Sequence, residues 1–114
     1  MTGYRFNTAP ELRIGLGTSR EVGAYCAQLG LKRPLLVTDP GLVTVGLVAP
    51  VQDAMAATCE HVGLFSEVTA DPAESVVLDA LAMLQAGEAD GVVGLGGGSS
   101  MDVAKAIAVL AAGT

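Results

Sequence analysis

The chain has 114 residues, enough for one domain with a core of its own. Hydrophobic residues make up 51% and aromatics only 4%, so that core is built from Val, Leu, Ile and Ala, while charged residues, at 16%, are few enough to leave surface for another domain or a partner to cover. The net charge is -6 and no Lys or Arg stands between Arg33 and Lys105, so the clustered cations that neutralise nucleic-acid phosphates are missing and that class of partner is excluded.

Residues 4–7 suggest an edge strand. Residues 11–15 predict a short strand with Leu12 and Ile14 on one face. Thr18 then opens a helix, because Thr18 and Glu21 fit a capping box in which each side chain satisfies a free backbone N–H. Val22, Cys26 and Leu29 give that helix its apolar stripe, and Gly30 ends it at the C′ position. Residues 34–39 read as a buried strand, since their apolar residues are consecutive, as in a parallel sheet covered on both faces. Residues 40–59 are helical with a break around 46–50, and residues 62–68 form the third strand of the alternating series. Asp71-Pro72-Ala73-Glu74 is a helix start, with an N-cap, a proline at N1 and an acid at N3. That helix carries Val77, Leu81 and Leu84 and stops at Gly87. Residues 90–95 form the fourth strand, and the last helix covers 99–112.

Strands separated by helices imply an α/β fold, a Rossmann-like parallel sheet with helices on both faces, because parallel strands need long crossovers. Cys26 and Cys59 lie in apolar patterns without metal-type spacing and read as buried free thiols of a cytoplasmic protein. The N-terminus lacks the apolar region of a signal peptide. The longest apolar stretch, between Asp39 and Asp53, is interrupted by Pro50 and is too short to span a bilayer.

Ligands of such sheets bind at the carboxyl ends of the strands, and two of those ends carry suggestive chemistry. Gly94-Leu95-Gly96-Gly97-Gly98-Ser99-Ser100 follows an apolar strand and opens a helix. Adjacent glycines let a ligand approach the backbone, and the helix start offers free N–H groups with a partial positive charge, which together make a phosphate site. The spacing is neither the usual dinucleotide fingerprint nor a P-loop, since no Lys follows the last glycine. Ser99, Asp102 and Lys105 advance in steps of three and are neighbours on the helix. Spacing alone leaves Asp102 open between a capping partner of Ser99 and a functional acid, and Lys105 open between a partner of Asp102 and a functional cation. Asp39 ends the second strand, where it either caps the next helix or accepts from a ribose hydroxyl. His61 is a lone histidine without companions at ligand spacing, and Gly15-Leu16-Gly17-Thr18 is a second, weaker glycine turn.

Gly96-Gly97-Gly98-Ser99-x-x-Asp102-x-Ala104-Lys105 resembles the signature of the iron-containing alcohol dehydrogenase family. The run from Pro10 to Gly17, the segment Leu36-Val37-Thr38-Asp39-Pro40-Gly41-Leu42 and the pair Asp71-Pro72 are similar to the same family, in its order and over nearly the whole chain. The resemblance implies a dehydroquinate synthase-like N-terminal domain over residues 1–114. It implies pyrophosphate binding by Gly96, Gly97, Gly98 and Ser99, ribose binding by Asp39, Asp102 near the nicotinamide and substrate, and Lys105 supporting the motif helix. The implied cofactor is NAD, with NADP as the alternative, and the implied reaction is reversible hydride transfer to or from an alcohol or aldehyde, with iron or zinc polarising the substrate oxygen. The family's metal ligands, one Asp and three His in a helical second domain, have no counterpart before Thr114, so the chain is expected to carry no metal and to be a fragment or a truncated product, inactive alone. The competing expectations are a nucleotide-binding remnant without catalysis and a relative of glycerol-phosphate dehydrogenase or dehydroquinate synthase; Ser99 and Lys105 favour the alcohol dehydrogenase branch. An uncovered apolar face is expected to drive homodimerisation or other association, with no membrane partner.

Overall fold

A computed structural model of the chain describes residues 11–14, 21–69 and 74–112. In chain order the elements are β1 (Glu11–Ile14), α1 (Val22–Leu29), β2 (Pro34–Val37), α2 (Pro40–Thr44), α3 (Val48–Ala56), β3 (Gly63–Phe65), α4 (Glu74–Ala86), β4 (Gly91–Leu95) and α5 (Gly98–Ala112). Among the described residues the strands form one parallel sheet in the order β1-β4-β2-β3.

The consecutive apolar residues of the central strands divide between two cores because side chains alternate across a strand. Leu35, Val37 and Val92 face α4 and α5, where they meet Ala80, Leu84, Val103, Ala104 and Ile107. Leu36, Val93 and Leu95 face α1 and α3, where they meet Val22, Cys26, Val48, Val51 and Met55. Each fully buried Leu, Val or Met of these cores contributes roughly 1.5–3 kcal/mol by leaving water. Gly94 lets α5 rest directly on β4, since a Cβ there would lie 3.0 Å from Ala104 Cβ and 3.4 Å from Met101 Sδ.

Several boundaries differ from the sequence reading. The described part of α1 begins at Val22, and the Glu21 carboxylate accepts from the Tyr25 hydroxyl at 2.9 Å. Thr18 and the glycine turn before it lie outside the described residues, as do residues 4–7 and Asp71-Pro72-Ala73. Leu29 is exposed, and Leu31 takes its place in the core. Gly30, at φ 73, ends α1 with Leu31 N–H on the Cys26 carbonyl, the bond that places both residues in one core. The break between α2 and α3 falls within the expected 46–50, at Gly46, at φ 81, while Pro50 sits inside the first turn of α3, where its missing N–H is not needed. At the end of α4 the left-handed residue is Glu88, at φ 53, one place beyond Gly87. The third strand is shorter than expected, at three residues.

Cys26 is fully buried and Cys59 half-buried, so only one of the two thiols is enclosed as expected. Burial, reinforced by the neighbouring Cys59 thiol, pushes the Cys26 thiol up to about 12. Cys59 Sγ donates to the Leu31 carbonyl at 3.5 Å.

Candidate functional site

The chain leaves β2 and β4, which are neighbours, in opposite directions. After β2 it enters α2 and α3, whose Leu42, Val48 and Val51 belong to one core. After β4 it enters α5, whose Val103 and Ile107 belong to the other. A crevice must open where adjacent strands send their connections to opposite faces, and that is where ligands of such sheets bind.

One wall of the crevice is built from the end of β2. Thr38 prolongs the pairing of β2 with β3: its N–H donates to the Phe65 carbonyl at 2.9 Å and its carbonyl accepts from Val68 N–H at 3.4 Å. Asp39 follows in extended conformation and caps α2, with Oδ1 accepting from Leu42 N–H at 2.9 Å and Pro40 in the first turn. The capping reading of Asp39 is therefore met. Oδ2 accepts no hydrogen bond from the described residues, and Asp39 stands in the wall of the crevice.

The other wall is the glycine turn. Gly96 takes φ 123, a conformation open only to glycine, and turns the chain out of β4. Gly97 accepts from Met101 N–H at 3.1 Å, so the first turn of α5 is already closed there. A Cβ on Gly97 or Gly98 would meet nothing within 4 Å. Between the walls lies a cleft of about 480 Å³, lined by Asp39, Pro40, Gly41, Val68, Thr69, Gly97, Gly98, Ser99 and Ser100. Among the described residues Asp39 is the one charged side chain in that lining, and the start of α5 opposes it with free N–H groups.

Of the residues singled out in the sequence, Asp39, Gly97, Gly98 and Ser99 meet in this cleft, and Gly96 supports it from below. Asp102 and Lys105 lie further along α5, exposed and outside the lining. His61 stands exposed in a separate groove before β3 with Gln52, Asp53, Cys59 and Glu60. Val68 and Thr69 were not singled out, although they follow β3 and the rule of carboxyl strand ends points to them. Ser100, fully buried in the first turn of α5, stood in the glycine run but was given no role of its own, because a second serine after a capping serine carries no separate signal.

The model of the family described as iron-containing alcohol dehydrogenase matches residues 9–113. The chain belongs to the iron-containing alcohol dehydrogenase family. It is 39% identical to 4-hydroxybutyrate dehydrogenase of Cupriavidus necator over 88% of this chain and 26% of that protein. It is 36% identical to NAD-dependent methanol dehydrogenase of Bacillus methanolicus over 94% of this chain and 28% of that protein. Sulfoacetaldehyde reductase of Bifidobacterium kashiwanohense, solved in complex with NAD+, superposes with a TM-score of 0.75 at 25% identity over 90% of this chain and 27% of that one. The chain spans about a quarter of the length of these family members. Among the described residues no group of three or more His, Cys, Asp or Glu could hold a metal ion, and no helix is long and apolar enough to cross a membrane.

Proposed function

We propose that this chain forms the NAD-binding domain of an oxidoreductase that transfers a hydride between NAD(H) and an alcohol or aldehyde. The observation that carries the reading is the cleft at the ends of β2 and β4, with two open glycines at a helix start on one side and, on the other, an acid with one oxygen unbonded among the described residues. These residues fit a dinucleotide. The space that a Cβ would fill at Gly97 and Gly98 lets a pyrophosphate reach the first amides of α5, where the helix favours negative charge. Ser99 adds a hydroxyl in the same turn. Asp39 Oδ2 accepts from ribose hydroxyls, and its charge repels the 2′-phosphate of NADP. Asp102, beyond the cleft on α5, is assigned to the nicotinamide and substrate end, and Lys105 to support of the motif helix. When bound, NAD supplies the hydride acceptor and NADH the donor.

The names of the relatives support a small alcohol or aldehyde as substrate. The described residues do not fit the iron or zinc expected of the family, and no step is routed through a metal. Reduced, unpaired thiols suit a cytoplasmic setting. Exposed Val43, Val45 and Leu47 around the α2–α3 junction support self-association of the chain.

Titration of the chain with NADH, followed by its fluorescence and by the amide resonances of the glycine turn, tests the reading. The expected result is weak binding, no tighter than micromolar, with Gly97 and Gly98 shifted. Resonances of Gly96 to Ser99 that stay fixed at millimolar NADH would refute nucleotide binding. Submicromolar affinity would refute the view that this cleft is one part of a larger site.

A further inference from the structure

The three glycines of the turn are not equivalent. Gly97 and Gly98 have open space where a Cβ would stand. A Cβ on Gly96 would instead lie 3.0 Å from Leu42 Cδ1, 3.3 Å from Asp39 Oδ2 and 3.5 Å from Ser100 Oγ. Gly96 therefore faces Leu42 of α2 most closely, between two residues of the cleft lining, Asp39 and Ser100. Leu42 does not line the cleft; it is half-buried and packs against the core on the α1 and α3 side. Its backbone N–H is held by Asp39 Oδ1. At five residues α2 is too short to hold itself by its own ladder, so its place rests on that cap and on Leu42.

We infer that Leu42 is a positioning residue for the glycine turn. It fills the space that a side chain at position 96 would need, keeps Gly96 in its φ 123 conformation, and so aims the Gly97 and Gly98 amides without touching a ligand. The inference rests on the nucleotide reading and deepens it. Its consequence is that the two walls of the cleft are mechanically one. The carboxylate assigned to the ribose also anchors the residue that braces the pyrophosphate turn.

The test compares the chain with Leu42→Ala and Leu42→Met. The readouts are the amide resonances of Gly96 to Ser99 without ligand, and the binding of inorganic pyrophosphate, a probe with no ribose. Leu42→Ala should shift those resonances and weaken pyrophosphate about fivefold or more, whereas Leu42→Met, which keeps the reach to Gly96, should restore both. Should Leu42→Ala fail to fold, Leu42→Val withdraws the δ-methyls and takes the same measurements with the same expectation. A lowered melting temperature with the turn's resonances and pyrophosphate binding unchanged would overturn the inference, because Leu42 would then be core and nothing more. If the unaltered chain does not bind pyrophosphate, the nucleotide reading fails, while the ligand-free resonances still decide whether Leu42 braces the turn.

Discussion

Each end of the sheet carries an aspartate, and the two are used differently. At the amino end, Asp90 precedes β4 and both its oxygens are occupied: Oδ2 accepts from Lys32 N–H at 2.7 Å and Oδ1 from Arg33 N–H at 3.0 Å. The Arg33 guanidinium donates in turn to the Gly87 carbonyl, at 3.3 and 3.0 Å from Nε and Nη2. The Lys32 carbonyl accepts from both Glu60 and His61 N–H, at 2.8 and 3.1 Å. The segments entering β2, β3 and β4 are thus tied in one network. At the carboxyl end, Asp39 caps a helix with one oxygen, and the other accepts no hydrogen bond from the described residues. The strands are registered from the amino end, which frees the carboxyl end to present unpaired donors and acceptors to a ligand.

The sharpest way to break this comparison is Asp90→Ala. Two charge-assisted hydrogen bonds to backbone N–H groups disappear, so unfolding in urea should show a loss of about 2–4 kcal/mol, with the amide resonances of Gly97 and Gly98 unmoved. A loss below about 0.5 kcal/mol, the size of an ordinary surface change, would mean that the network does not register the sheet. Asp39→Gly comes next, measured in the oxidoreductase to which the proposed function assigns this domain. The NAD-over-NADP ratio of kcat/KM should fall at least about tenfold, or roughly 1.4 kcal/mol, since the repulsion of the 2′-phosphate and the ribose hydrogen bonds go together. Stability should fall by only a few tenths of a kcal/mol, as glycine is itself tolerated as a cap. A less stable variant with unchanged cofactor preference would leave Asp39 as a cap alone. The smallest effect belongs to Glu88→Gly at the amino end. Glu88 holds the left-handed position that closes α4, with Ala89 N–H on the Leu84 carbonyl at 2.9 Å. Glycine there should stabilise by about 0.5–1 kcal/mol, seen as a rise in Tm of a few degrees.

The order of strands and helices was legible because buried parallel strands read as unbroken apolar runs and because glycine and proline punctuate them. The glycine turn was legible for the same reason: three adjacent glycines after such a run announce themselves. Asp39 was legible in position but divided in role, and the geometry resolves half of that division by showing its Oδ1 on Leu42 N–H. What the sequence hid are contacts that span the sheet. Nothing in the spacing of Asp90 and Lys32 joins them, 58 residues apart, and nothing in Leu42 distinguishes it from any other leucine of an apolar helix. The start assigned to the first helix at Thr18 lies outside the described residues; within them Glu21 accepts from Tyr25 one turn further on. The end of α4 at Gly87 was legible, while the left-handed residue that follows it, Glu88, carried no signal because glycine is the usual residue there.

The two thiols give the molecule an internal reporter. Alkylating reagents act on thiolates, so the enclosed Cys26, held protonated far above neutral pH, should stay untouched while the partly exposed Cys59 reacts. A fluorophore placed on Cys59 would sit just before β3, at the end of the sheet opposite the cleft. Strands of three to five residues separate the two ends, about 10–17 Å of backbone at ~3.3 Å per residue. That span is short enough for energy transfer from bound NADH to a suitable dye, and long enough that the label does not obstruct the ligand. Occupancy of one end of the sheet could then be read as colour at the other.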